Sequence, residues 1–414
     1  MIPRRKSRSM TAAQRTSLTI LVAALGYFVD IFDLQLFALL RVSSLKSLGL
    51  SPEDITRIGA QLVNWQMAGF LIGGVVWGII GDKKGRVLVL FGTILLYSLS
   101  NIANAFVTTI PAYAAARFFT GMGLAGEVGA GVTLLSELLP KEKRGYATTI
   151  MIGCGVLGPV VASIAAEAMD WRIAYIAGGV LGLLLLGLRI AVNESGMFSN
   201  LHKHQKVARG SFLMLFNKPK RLARYLCCIG CALPIWFLAG VLVTFTPEVG
   251  VALGAIEPLK TSSAVITYSV GLALGCFISG LLSQLMQSRK KIMGLFILAL
   301  AIIDGFILTS HGIAANTYYG LICLGGFGIG YWAVFLTATA EQFGTNLRAT
   351  ATTTAANFVR GSLLLDMLLI GALKPTYGFL NGLIITAAIG FVIAAIALWK
   401  LPETFDRDLD FIER

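Results

Sequence analysis

The chain has 414 residues, of which 56% are hydrophobic and 13% charged, and its mean hydropathy is +0.78. Water-soluble domains carry about 25% charged residues, so this composition over so long a chain excludes an ordinary soluble fold. The net charge of +13 would admit a nucleic-acid partner, but the basic residues sit in short loops between apolar runs, where a lipid surface accounts for them and a nucleic acid does not.

Met1 to Arg15 is basic and polar, and the run behind it is long enough to span a bilayer, so a cleaved signal peptide is not expected. Apolar runs follow at about 17–40, 58–80, 87–107, 111–135, 146–169, 173–192, 222–246, 262–286, 292–310, 317–340, 350–372 and 378–400. These predict an all-α, polytopic membrane protein of twelve helices with short loops and no sizeable domain outside the membrane. With both termini in the cytoplasm, 25 of the 34 Lys and Arg residues fall on that side. Six lie opposite (Arg41, Lys46, Arg57, Arg172, Lys260, Lys374) and three within the membrane (Arg117, Arg189, Arg360), which satisfies the positive-inside rule. The expected location is therefore a cell membrane, the inner membrane of a bacterium. All six cysteines fall in apolar stretches, where a thiol acts as a small hydrophobe, and no disulfide is expected.

The two halves overlay at a shift near 204 residues. Glu137 to Thr149 matches Glu341 to Thr353, keeping the spacing from Glu137 to Arg144 and from Glu341 to Arg348. The expected organisation is a six-helix bundle over 1–192, a linker over 193–221 and a second bundle over 222–414. Parallel duplication of this kind places a substrate site at the repeat interface near the midplane.

Ionisable side chains in lipid are costly unless paired or hydrated, so those inside the spans are candidates for function: Asp30, Asp33, Arg117, Glu127, Asp304, Arg360 and Asp366. At 1.5 Å per residue, Asp33 and Arg117 both lie about 10 Å from the outer ends of their helices. A carboxylate beside an arginine can pair when ionised and release when protonated, which couples a proton to access. The alternative is a permanent structural salt bridge. Asp30 is one turn from Asp33 on nearly the same face. Arg360 sits near the midplane, where its guanidinium either binds a carboxylate substrate or pairs with Asp304. Glu127 is either a second protonation site or a structural group. Gln35, Trp65, Gln66, Trp236, Tyr268, Tyr331, Trp332 and Asn357 are the expected cavity lining, being polar or aromatic at mid-depth. Asp82, Arg86, Glu137, Arg144, Glu341 and Arg348 lie at helix ends on the basic face, where they could clamp a gate. Cys227, Cys228 and Cys231 could hold a soft metal, but no mid-membrane histidine completes a site, and neither metal nor cofactor is expected.

Several motifs carry a resemblance. Gly81-Asp82-Lys83-Lys84-Gly85-Arg86 resembles the loop after the second helix of the major facilitator superfamily, with Gly69, Gly73 and Gly78 matching its small-residue second helix. Arg117 with Gly121 resembles the fourth-helix signature, and Glu137…Arg144-Gly145 and Pro402-Glu403-Thr404 resemble patterns of its sugar porters and its metabolite and aromatic-acid proton symporters. Asp30-Ile-Phe-Asp33 and the stretch around Arg360 are similar to first- and eleventh-helix motifs of those symporters. The second copy of the Gly-Asp loop lacks its Asp, and Gly155-Val-Leu-Gly158-Pro159 only partly matches the fifth helix of drug antiporters. The resemblance implies a secondary transporter that takes up a small organic anion with a proton by alternating access. It would act as a monomer in the lipid bilayer, with the small molecule and the proton as its partners. A sugar or polyol symporter, a metal or drug exporter and a ligand sensor that does not transport are the alternatives.

Overall fold

In a computed structural model the chain is described over residues 12–139, 146–147, 150–151, 153–188, 212–408 and 410–413, with backbone alone at 12–19, 52, 53, 56 and 136–138. Apolar helices run in chain order as Ile20–Ser47, Arg57–Lys84, Arg86–Asn104, Ile110–Leu135, the shorter Gly153–Ala168, Trp171–Leu188, Pro219–Val243, Thr261–Leu285, Arg289–Thr309, Ala315–Gln342 and Arg348–Lys400. The last breaks at Gly378, whose φ of 79° lies in the left-handed region that glycine enters without strain, so 348–377 and 379–400 are separate spans. The chain thus crosses twelve times, and the spans are numbered first to twelfth below.

Local sequence sets where these helices begin. Ser51 accepts from the Asp54 N–H ahead of Pro52, Thr109 accepts from the Ala112 N–H ahead of Pro111, and Ser288 accepts from the Lys291 N–H. Each hydroxyl satisfies an amide that has no partner within its own helix.

Small residues set how closely the spans pack. A methyl group at Gly69 would lie 2.1 Å from the Phe118 carbonyl, and one at Gly121 would lie 2.1 Å from that of Gln66, so the second and fourth spans touch backbone to backbone. The eighth and tenth spans repeat this at Gly271, against the Cys323 carbonyl, and at Gly330, against Gly275. The fourth span breaks at Ala125–Gly126, and the tenth narrows to a 3-10 turn at Ile329–Tyr331. Gly126 and Gly330 are 204 residues apart, the shift at which the two halves of the sequence overlay.

The first six spans meet the last six along two seams. The second packs on the eleventh, with Gly78 against Thr350 and Gly74 against Asn357, and the fifth packs on the eighth. Between these seams lies the centre of the molecule.

Candidate functional site

A small cavity of about 30 Å³ sits at that centre, walled by the first, fifth, seventh, eighth, tenth and eleventh spans. Its polar lining is Tyr27, Gln35, Trp236, Tyr268, Trp332 and Arg360, set among aliphatic side chains. Arg360 is 1% exposed, and its Nη2 donates to Oδ2 of Asp30 at 3.1 Å. The partner of Arg360 is therefore Asp30, and the pairing with Asp304 entertained from the sequence is corrected. Nε and Nη1 of Arg360 have no acceptor, and the guanidinium lies 5.0 Å from the centre of the Phe70 ring. Trp332 Nε1 donates to the Tyr27 hydroxyl at 3.0 Å, joining the tenth span to the first. Tyr27 escaped the sequence reading, although it lies three residues before Asp30 and hence on the same helical face.

The helix that supplies Trp236 is loosened there. Pro234 cannot donate its amide, and the seventh span continues beyond Trp236 as a π-helix over Phe237–Val243. The Tyr331 hydroxyl donates to the Cys231 carbonyl at 2.9 Å and that of Tyr318 to the Leu242 carbonyl at 2.8 Å, so the widened helix is braced from the tenth span.

Asp33 and Arg117 are both fully buried but form no ion pair, a second correction to the sequence reading. Arg117 lies instead over the Phe37 ring at 4.7 Å and beside that of Tyr175 at 5.9 Å, and no acceptor reaches any of its three guanidinium nitrogens. Asp33 feels both Asp30 and Arg117 electrostatically and faces Asn101 without closing a well-formed hydrogen bond. Glu127 is buried and accepts from the Thr93 hydroxyl at 3.2 Å, away from the cavity.

Four expected lining residues lie elsewhere. Trp65 is 52% exposed and packs edge-on against Phe118 on the outer surface, because its helix turns that face to lipid. Gln66 is buried where the second and fourth spans touch. Tyr331 is spent on the Cys231 carbonyl. Asn357 donates to the Ala125 carbonyl at 2.6 Å and to that of Thr353 at 2.7 Å, so it caps the break in the fourth span from the eleventh. Asp304 and Asp366 both carry buried oxygens that lack a donor. Among the described residues no three His, Cys, Asp or Glu side chains converge as metal ligands.

Polar contacts, some of them between the halves, tie the helix ends together on both faces of the molecule. On the basic face, the Asp82 carboxylate accepts from the N–H groups of Ala349 (3.2 Å) and Thr350 (2.8 Å) at the start of the eleventh span. A negative charge there meets unpaired amides and the positive end of the helix dipole. Arg86 lies 3.4 Å from Asp82 and donates to the Gly81 and Thr345 carbonyls. Glu341 pairs with Arg289 at 3.1 Å and accepts from the Thr404 hydroxyl. Arg348 donates to the Ala340 and Phe343 carbonyls. The Glu137 side chain and Arg144 lie outside the described residues. Glu403 gives the Pro-Glu-Thr motif its structural role: it accepts from the Ser288 hydroxyl and from the amides of Arg289 (2.9 Å) and Lys290 (3.2 Å), capping the ninth span. On the opposite face Arg41 of the first span, 2% exposed, pairs with Glu248 at 3.1 Å and stacks on Phe245. This latch escaped the sequence reading, which counted Arg41 only as a loop charge.

The chain matches the model of the Major Facilitator Superfamily over residues 23–365. It belongs to that family, and is an integral membrane transporter of small molecules rather than an enzyme. It is 26% identical to the 3-(3-hydroxy-phenyl)propionate transporter of Escherichia coli (strain K12), over 82% of this chain and 83% of that one. It is 24% identical to the gentisate transporter of Corynebacterium glutamicum, over 92% and 88%. A structure of the proton:xylose symporter XylE bound to 6-bromo-6-deoxy-D-glucose superposes with a TM-score of 0.75 at 17% identity, covering 97% of this chain and 98% of that one, and so shares the fold.

Proposed function

We propose that the protein takes up a small organic anion, an aryl carboxylate, together with a proton, by alternating access. The observation that carries this reading is the Asp30–Arg360 pair at the wall of an aromatic cavity, with two guanidinium nitrogens still unused. A guanidinium presents a fork that matches a carboxylate, while Tyr27, Trp236, Tyr268 and Trp332 offer ring faces and polar tips to an aromatic body. The names of two relatives, transporters of 3-(3-hydroxy-phenyl)propionate and of gentisate, support that substrate class.

Asp30 and the substrate compete for one arginine. A proton on Asp30 frees Arg360 for the incoming carboxylate, and Asp33, one turn away, shares the charge of the site. Deprotonation restores the internal pair and expels the substrate. Access alternates by exchange between two closures: the Asp82 clamp on the basic face, here cytoplasmic, and the Arg41–Glu248 latch on the other.

The test is uptake into proteoliposomes with an inward proton gradient, using labelled 3-(3-hydroxyphenyl)propionate, gentisate and xylose. Accumulation of an aryl carboxylate that collapses with the gradient is expected. Accumulation of xylose alone, or of a carboxylate regardless of the gradient, would overturn the corresponding half of the reading.

A further inference from the structure

On the basic face a groove of about 640 Å³ opens between the start of the seventh span and the end of the twelfth. Lys218, Lys220, Arg221, Arg224 and Lys400 line it, and Glu413 is the one acid among the lining residues. Glu413 bonds to Arg221 at 3.1 Å and also to Arg224, holding the C-terminal segment along one edge. Its two oxygens leave the Arg224 Nε without an acceptor and leave the ammonium groups of Lys218, Lys220 and Lys400 exposed. Among the described residues the groove is thus lined by five cationic side chains against one carboxylate.

The groove's level in the fold narrows what can fill it. Trp399, next to Lys400, is 77% exposed, the placement of an indole at the headgroup boundary. Below the groove Leu226 and Ile396 are half-exposed and apolar, a surface suited to acyl chains. Basic groups that ring a depression at this boundary attract phosphate from the membrane rather than from bulk water.

We propose that this groove binds the phosphodiester headgroup of an anionic phospholipid, with Lys218, Lys220 and Lys400 as its contacts. The site is independent of the substrate cavity, and the reading of the cargo has no bearing on it. The lipid neutralises the groove where the seventh and twelfth spans converge, and so stabilises the folded protein.

The experiment is thermal unfolding of the full-length protein in a neutral detergent, titrated with cardiolipin, phosphatidylglycerol, phosphatidylcholine or inorganic phosphate. Both anionic lipids are expected to raise the midpoint, and phosphatidylcholine and inorganic phosphate to leave it unchanged. A juxtamembrane lysine strengthens binding to an anionic lipid by about fivefold, so Lys218→Gln/Lys220→Gln/Lys400→Gln should weaken the response by about a hundredfold. The Lys→Arg triple variant should restore it, and Lys260→Gln/Lys374→Gln on the opposite face should leave it intact. An equal response to phosphatidylcholine, an undiminished response in the glutamine variant, or reproduction of the effect by inorganic phosphate alone would overturn the proposal.

Discussion

Arg360 and Asp30, 330 residues apart in the chain, meet at 3.1 Å at the wall of the central cavity and tie the eleventh span to the first. Such a pair adds little net stability, because desolvation of both charges offsets their attraction, but removing one partner strands the other. Arg360→Gln alone should therefore destabilise the protein by about 3–5 kcal/mol, with Asp30→Asn/Arg360→Gln recovering most of that loss. Unfolding midpoints in detergent check this. A double variant no more stable than the single one would show that the pair does not act as a unit.

Asp82 closes the basic face by accepting two amides of the eleventh span. Asp82→Ala removes both bonds, the favourable charge at a helix start and the carboxylate beside the buried Arg86, a loss of at least about 1–2 kcal/mol. Amide exchange at Ala349 and Thr350 should accelerate by about five- to thirtyfold, with no matching change at Thr246–Ala252 on the far side. Unchanged exchange at both positions would remove Asp82 from the gate.

Glu403 provides a pH signature outside the membrane. Its partial burial pushes its carboxyl upward, but hydrogen bonds from the Ser288 hydroxyl and from the amides of Arg289, Phe405 and Thr404 outweigh burial and hold it below the ordinary glutamate range. A carboxyl lowered on folding contributes stability that is fully present above its unfolded pKa, about 4.3, and is lost as the pH falls through the folded value. Glu403→Gln should thus lower the unfolding midpoint at pH 7 and by progressively less below about pH 4. A gap between the two proteins that widens in acid would contradict the assignment.

Asp33 has no ion pair to lose, so Asp33→Asn should fold as the parent does. In the proposed mechanism it still shapes the charge of the site. Exchange of labelled substrate across proteoliposomes should survive, while accumulation driven by a proton gradient should fall by at least tenfold. Full gradient-driven accumulation in this variant would remove Asp33 from the coupling and leave it to Asp30.

What was legible in the sequence follows from how its signals arise. Hydropathy and the two copies of the Glu-to-Arg motif marked twelve spans in two repeats, because lipid demands apolar residues at every exposed position of a span. The structure repeats the close packing of Gly69 and Gly121 at Gly271 and Gly330. Depth along a helix was also readable, and it put Asp33 and Arg117 at one level. Rotation about the helix axis was not readable, since nearly every face of these helices is apolar. Trp65 therefore turned out to face lipid and Asn357 to cap a helix break, while Asp30 rather than Asp304 took Arg360. The Arg41–Glu248 latch joins residues 207 positions apart, with no local pattern to announce it.

The central claim is that Arg360 holds the substrate's carboxylate, and ligand-induced stabilisation tests it most directly. At 100 times its dissociation constant a ligand stabilises the folded state by about 2.7 kcal/mol, which a thermal-shift assay detects. Aryl carboxylates should raise the midpoint of the purified protein, and xylose should not. In Asp30→Asn/Arg360→Gln, which keeps the buried charge balanced, the carboxylate response should vanish, with affinity lower by at least tenfold, about the loss of one charge-assisted hydrogen bond. A double variant that binds the same carboxylates as tightly as the parent protein would contradict the account.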